Sequence, residues 1–207
     1  MIVSLNEAEV MATKAARGAG RPWGLAQEAG RAVSTLEALR LPGAACLLDV
    51  LNATDGVPCE EVRPGSTQAA CWQAENPMCP LLVGAFISDL GALSQKVMLR
   101  QVRGPLLLVP LCLMAFENVV FNWGDCTIRT SGDGISVQGD PKTPIADQVS
   151  IDGSVPAREA THRWQPGAVD IADEIWEALS AFAHRTYVPA SEASRLKGAG
   201  AGLTDND

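Results

Sequence analysis

Apolar positions recur at helical spacing towards both ends of this chain and alternate through its centre. Ala8, Met11, Ala12 and Ala15 form one stripe, with Glu7, Lys14 and Arg17 on another side, which predicts a helix over Ser4 to Arg17. Ser4 is placed to cap it, and Glu7 completes an S-x-x-E capping box in which each side chain satisfies a free backbone N–H. Gly18 and Gly20 stop the helix, because glycine accepts the left-handed conformation that follows a last turn. A second helix follows from about Pro22 to Leu41, carried by Leu25, Ala29, Ala32, Val33, Leu36 and Leu39. Gly30 in its middle costs roughly 1 kcal/mol against alanine, so a close neighbour is expected there. Pro42-Gly43 breaks the chain, and Ala44 to Leu51 gives a short third helix.

Periodicity is lost from Asp55 to Pro80, where Pro58, Pro64, Gly65 and Pro77 punctuate a long connection with room for a short helix near Thr67 to Ala74. Leu81 to Ile87 and Lys96 to Val102 then read as strands. Leu106 to Phe116 is either a core strand or a strand that hands over to a helix at Pro110. Cys126, Ile128 and Thr130 alternate with polar neighbours, Ser131-Gly132-Asp133-Gly134 supplies a turn, and Ile135 and Val137 alternate on the return, which predicts a hairpin. Val149 with Ile151, and Ala160 to Trp164, suggest further short strands. Ala168 to His184 is the strongest helix, with Ile171, Ala172, Ile175, Trp176, Leu179 and Phe182 on one stripe. Its early acids, Asp170, Asp173, Glu174 and Glu177, and its late His184 and Arg185 complement the helix dipole. Helices, then strands, then a helix predict one α+β domain over 1–207. Its parts are a helical hairpin region (1–53), an irregular connection (54–80) and a β-rich part (81–165) with a central, mostly antiparallel sheet. A long C-terminal helix packed on that sheet and a glycine-rich tail (166–207) complete it.

Composition narrows the partners. With 207 residues, 47% of them hydrophobic and 19% charged, the chain can bury a substantial core. A net charge of -8 argues against nucleic acid, whose phosphates need clustered Lys and Arg. The longest apolar run, Leu106 to Phe116, contains Pro110 and falls short of the ~20 residues of a membrane span. No basic, apolar leader opens the sequence, so a cytoplasmic, reducing location and no membrane partner are expected. The six cysteines include no C-x-x-C pair. Cys46 and Cys112 read as buried, while Cys59, Cys71 and Cys79 share the irregular stretch without a compact ligand spacing, so no metal is assigned. No cofactor is assigned either: Arg17-Gly18-Ala19-Gly20 follows a helix, whereas a dinucleotide fingerprint follows a strand.

Two stretches carry candidate chemistry. Lys14, Arg17, Gly18 and Gly20 precede a helix start at Trp23-Gly24, and free amides, a helix dipole and two cations there could hold a carboxylate or phosphate. The plain alternative is that the glycines only turn the chain and the cations are solvated. The second stretch runs from Arg185 through Tyr187 into a short helix begun by Pro189, with Glu192 and Arg195 three apart and Gly198 as its cap. Tyr187 could donate a hydrogen bond or act as an acid, and Arg185 and Arg195 could clamp a carboxylate. Ser191, Ser194, Gly198 and Gly200 would bring hydroxyls and bare backbone close to a ligand. Capping, surface ion pairs and a frayed end explain the same residues without a ligand. Ser194 to Lys197 matches S-x-x-K, but no companion motif accompanies it. Of the two imidazoles, His162 reads as a packed or surface residue.

Termini of single domains often lie close together, so the two stretches are expected to meet in one pocket. Lys14, Arg17, Arg185 and Arg195 would attract a small anionic molecule there, with Tyr187, Glu192 and Glu28 as catalytic, proton-transfer or orienting groups. Three functions suit this: a metabolic enzyme acting on a small anion, a noncatalytic ligand-binding or accessory subunit, and an interaction protein that forms a homodimer. At Asn6-Glu7, Lys14 to Gly20, Trp23-Gly24, Glu28-Ala29-Gly30 and the run Arg185 to Asp207, the chain resembles a bacterial family known as domain of unknown function 3726. The resemblance is drawn over most of the length. It implies that the two ends matter together and brings no activity, cofactor or catalytic residue with it.

Overall fold

Ser4 accepts a hydrogen bond from the Glu7 amide, and the Glu7 carboxylate accepts from the Ser4 amide at 2.8 Å, so helix α1 (Leu5–Gly18) begins at a complete capping box. The computed structural model describes residues 1–69, 71–90, 96–113, 115–116, 118–132, 134–153 and 159–187. Ahead of α1, strand β1 (Ile2–Ser4) occupies the start of the chain. Helix α2 (Trp23–Ala38) returns antiparallel along α1, and their crossing falls at Gly30. A side chain there would meet the Thr13 hydroxyl and stand 2.7 Å from the Glu9 carbonyl oxygen, which is the close neighbour that a mid-helix glycine predicts. Arg40, at φ 59, turns the chain into α3 (Gly43–Thr54).

The connection that follows holds α4 (Cys59–Val62) and β2 (Cys71–Trp72); that strand lies where the stretch Thr67 to Ala74 had room for a short helix. Leu81 to Ile87, expected as a strand, is helix α5 (Pro80–Ser88). Proline occupies its first turn, and Pro80, Leu81, Val83, Gly84 and Ile87 are buried, so its apolar run reflects burial on several sides. After β3 (Val97–Arg103), residues Pro105–Leu107 make one 3-10 turn that leads into α6 (Leu108–Leu113), so the ambiguous Leu106 to Phe116 run is helical over its first part. Strands β4 (Val120–Trp123), β5 (Cys126–Ser131), β6 (Gly134–Gln138), β7 (Ile145–Asp152), β8 (His162–Arg163) and β9 (Ala168–Asp170) precede helix α7 (Asp173–His184).

Among the described residues seven strands form one sheet in the order β2-β3-β7-β4-β5-β6-β8, antiparallel except for the β2–β3 pair. Its register aligns Leu99 with Val149 and sets Phe121 between Ile151 and Ile128, all fully buried. The opposite face carries a polar row in which Thr127 donates to Asn122 (2.9 Å) and Asn122 donates to Ser150 (3.2 Å). Gln101, at φ 47, shifts the phase of β3, so that Leu99 and Val102, three apart, are both buried. One hydrophobic cluster runs from the helices into the sheet, which makes the fold α+β with a mostly antiparallel sheet.

The C-terminal helix departs from expectation in two respects. Residues 168–170 are not its first turn but strand β9, which pairs with β1 as Ile2↔Asp170, Val3↔Val169 and Ser4↔Ala168. Its main neighbours are then α1 and α3, not the sheet. Two-strand pairing at the chain start and helix packing behind it thus hold both ends of the described chain together. Among the described residues no helix is long and apolar enough to cross a membrane.

Candidate functional site

Gly18, the last residue of α1, carries the close approach on which the site depends. A side chain there would land on the Phe182 carbonyl oxygen and 2.7 Å from its carbon. Glycine alone lets the carbonyl ends of α1 and α7 touch, and the residues just past α7 are thereby delivered beside the last turn of α1. Lys14 and Arg17, three apart, share one face of that turn.

Together with Gly18, Gly20, Trp23, Arg185, Thr186 and Tyr187, they line an open hollow of about 640 Å³. Gly20 adopts φ 85, which reverses the chain between α1 and α2 and sets Trp23 on the rim. The Lys14 ammonium lies over the Tyr187 ring (5.8 Å) and the Arg17 guanidinium over the Trp23 ring (5.7 Å). Both rings remain largely in solvent, Trp23 at 61% and Tyr187 at 55% exposure. Arg17 also donates to the Arg21 carbonyl oxygen (2.9 Å), which fixes its head at the turn.

Charge at the hollow is unbalanced. Arg185 stacks on Phe182, and its Nη1 donates to both carboxylate oxygens of Asp55 (2.8 and 2.9 Å), so its charge is matched. Among the described residues Lys14 and Arg17 have no carboxylate partner. Arg21, in the turn between Gly20 and Trp23, points inward and is 2% exposed. It donates to the Thr54 carbonyl oxygen (3.2 Å), to the Thr54 hydroxyl and to the Cys59 sulfur (3.6 Å); its Nε has no partner and no carboxylate meets it among the described residues. A buried guanidinium without a counter-ion is costly, and its field is not cancelled locally. The first turn of α2 adds amides that no side chain caps, with no acidic residue among them. The carbonyl ends of α1 and α7 work the other way and absorb part of the cationic potential.

The remaining site candidates divide. Glu28 does not line the hollow: on α2 it stands five residues beyond Trp23, about 140° around the helix. Burial, followed by the charge of Asp89, raises its carboxyl pKa, and one of its oxygens is buried without a partner. Glu192, Ser191, Ser194, Arg195, Gly198 and Gly200 lie outside the described residues. All six cysteines are free thiols, and no group of three or more His, Cys, Asp or Glu among the described residues could hold a metal ion. His162 contacts the Thr161 hydroxyl beside it (3.0 Å), and His184 packs edge-on to Tyr187. Arg21, Asp55 and Thr186 escaped the sequence reading. Arg21 lies inside the very turn that drew attention to its neighbours, but nothing in its local pattern says that it points inward.

Residues 3–76 match the family described as Protein of unknown function (DUF3726). The DUF3726 match covers most of β1 and all of α1, α2, α3, α4 and β2, and so contains Lys14, Arg17, Gly18, Gly20, Trp23, Arg21 and Asp55. The match spans about a third of the chain and stops short of α7 and of the terminal run Arg185 to Asp207. No curated protein matches the chain.

Proposed function

We propose that this protein binds a small anion, a carboxylate or a phosphate, in the hollow between the ends of α1 and α7. The observation that carries this reading is charge: Lys14 and Arg17 face an open space of about 640 Å³ without a carboxylate partner among the described residues. The volume lies within the ~300–1,000 Å³ of small-molecule sites. Uncapped amides at the start of α2 add donors of the same polarity.

Binding is favoured over conversion by the chemistry of the lining. Lys14, Arg17 and Arg185 donate hydrogen bonds and accept none, and no carboxylate or imidazole lines the hollow among the described residues. Tyr187 is the proton-transfer candidate that lines it among those residues, and Glu28 is turned away from it. Isothermal titration of the full chain with inorganic phosphate and with acetate tests the reading. Binding of either anion that weakens at least tenfold in Lys14→Ala and Arg17→Ala supports it. No heat with either anion, or affinities the two substitutions leave unchanged, would refute it.

A further inference from the structure

We infer that the anion this hollow accepts also carries a planar aromatic ring, as an aryl or heteroaryl phosphate does; the inference rests on the anion-binding reading and goes beyond it. Cations alone would suit inorganic phosphate, but the walls offer more. Trp23 and Tyr187, the chain's only tyrosine, line the same hollow and are both more than half exposed. An indole 61% exposed on the rim of a cavity presents a face on which a flat ring can stack. Neither ring belongs to the hydrophobic core cluster, and Tyr187 packs edge-on to His184. Each is met instead by a cation, Arg17 on Trp23 and Lys14 on Tyr187.

That pairing sets ring and charge side by side twice within one cavity, which is the pattern a ligand with a flat ring and an anionic group would complement. The ring would lie on Trp23 or Tyr187, and the anionic group would reach the adjacent ammonium or guanidinium. Size agrees, because about 640 Å³ leaves room beyond a bare oxyanion for a ring system. Charge favours two negative charges over one. Lys14 and Arg17 line the hollow unmatched by carboxylate among the described residues, and Asp55 is engaged by Arg185. A phosphate monoester near its dianionic form meets that excess better than a monocarboxylate.

The test compares phenyl phosphate, ethyl phosphate and inorganic phosphate by titration calorimetry on the full chain, with Trp23→Ala and Trp23→Phe beside the wild type. Trp23 is exposed at the first position of α2, so neither change disturbs the core. Stacking on an aromatic side chain predicts phenyl phosphate about tenfold tighter than ethyl phosphate. Trp23→Ala should abolish that margin, and Trp23→Phe should keep most of it. Equal affinities for phenyl and ethyl phosphate, or a margin that survives Trp23→Ala, would overturn the aromatic inference and leave anion binding standing. Absence of binding by all three phosphates would overturn both.

Discussion

Gly18→Ala tests the contact that brings the two chain ends together. The added methyl would sit on the Phe182 carbonyl oxygen and 2.7 Å from its carbon, inside the 3.0 Å that real Cβ atoms respect. Both obstructing atoms are backbone of α7, so no side chain can swing aside; the helices themselves must part. Against this stands the intrinsic preference of a helix for alanine over glycine, worth up to about 1 kcal/mol and less at a last residue. Overpacking that moves backbone costs typically about 1–3 kcal/mol, so the steric effect wins and a net loss of about 1–2 kcal/mol is expected. For a chain of this size that is a fall in Tm of roughly 2–8 °C. Thermal unfolding followed by circular dichroism reads the stability. Phosphate titration of the same variant should show weakened binding, because parting α1 from α7 carries Arg185 and Tyr187 away from Lys14 and Arg17. A variant as stable as wild type, or more so, would mean that helix propensity dominates and that α7 does not cross α1 at Gly18.

Three further outcomes follow from the same geometry. Asp55→Asn removes the carboxylate that Arg185 engages beside the hollow; the exposed pair is worth no more than about 1 kcal/mol, so unfolding should change little while phosphate affinity rises severalfold in calorimetry. Glu28 has a folded-state pKa raised by burial, so the native state holds more protons than the unfolded chain between the two values, and stability falls as pH rises through that window. Glu28→Gln should therefore be more stable than wild type at neutral pH, with the difference vanishing below the ordinary glutamate value of about 4.3, as read from denaturant midpoints across pH. Iodoacetamide labelling at pH 8 with mass-spectrometric mapping should mark Cys59 and Cys71, the half-buried thiols of the connecting segment, ahead of Cys46, Cys112 and Cys126. Burial pushes Cys46 up to about 12 and Cys126 up to about 11 and raises Cys112 as well, which keeps them thiols.

What could be read from the sequence was written in local chemistry. Ser4 and Glu7 announce α1 because a capping box needs only four residues, and Ser131 to Gly134 announces the β5–β6 turn for the same reason. Leu81 to Ile87 misled because a helix buried on several sides loses its 3.6-residue period and resembles a core strand. Three-residue strands such as β1 and β9 have too few positions to alternate, and only their mutual pairing across the chain makes them strands. At the site, Lys14, Arg17 and Gly18 were visible through spacing on one helix turn, and their meeting with Arg185 and Tyr187 was expected from the proximity of domain ends. Arg21 and Asp55 were not visible, since inward orientation and a partner 130 residues away are tertiary facts. Glu28, expected as a proton-transfer or orienting group, does not line the hollow, because helical rotation puts it on another face of α2 from Trp23.

The most direct measurement of the central claim is the anomalous difference map of a crystal soaked in selenate, an oxyanion whose selenium reports its own position. The account predicts a peak in the hollow within hydrogen-bond reach of Lys14 and Arg17, reduced or absent in Arg17→Ala crystals. Selenate found only at other surfaces, with this hollow holding none, would contradict it.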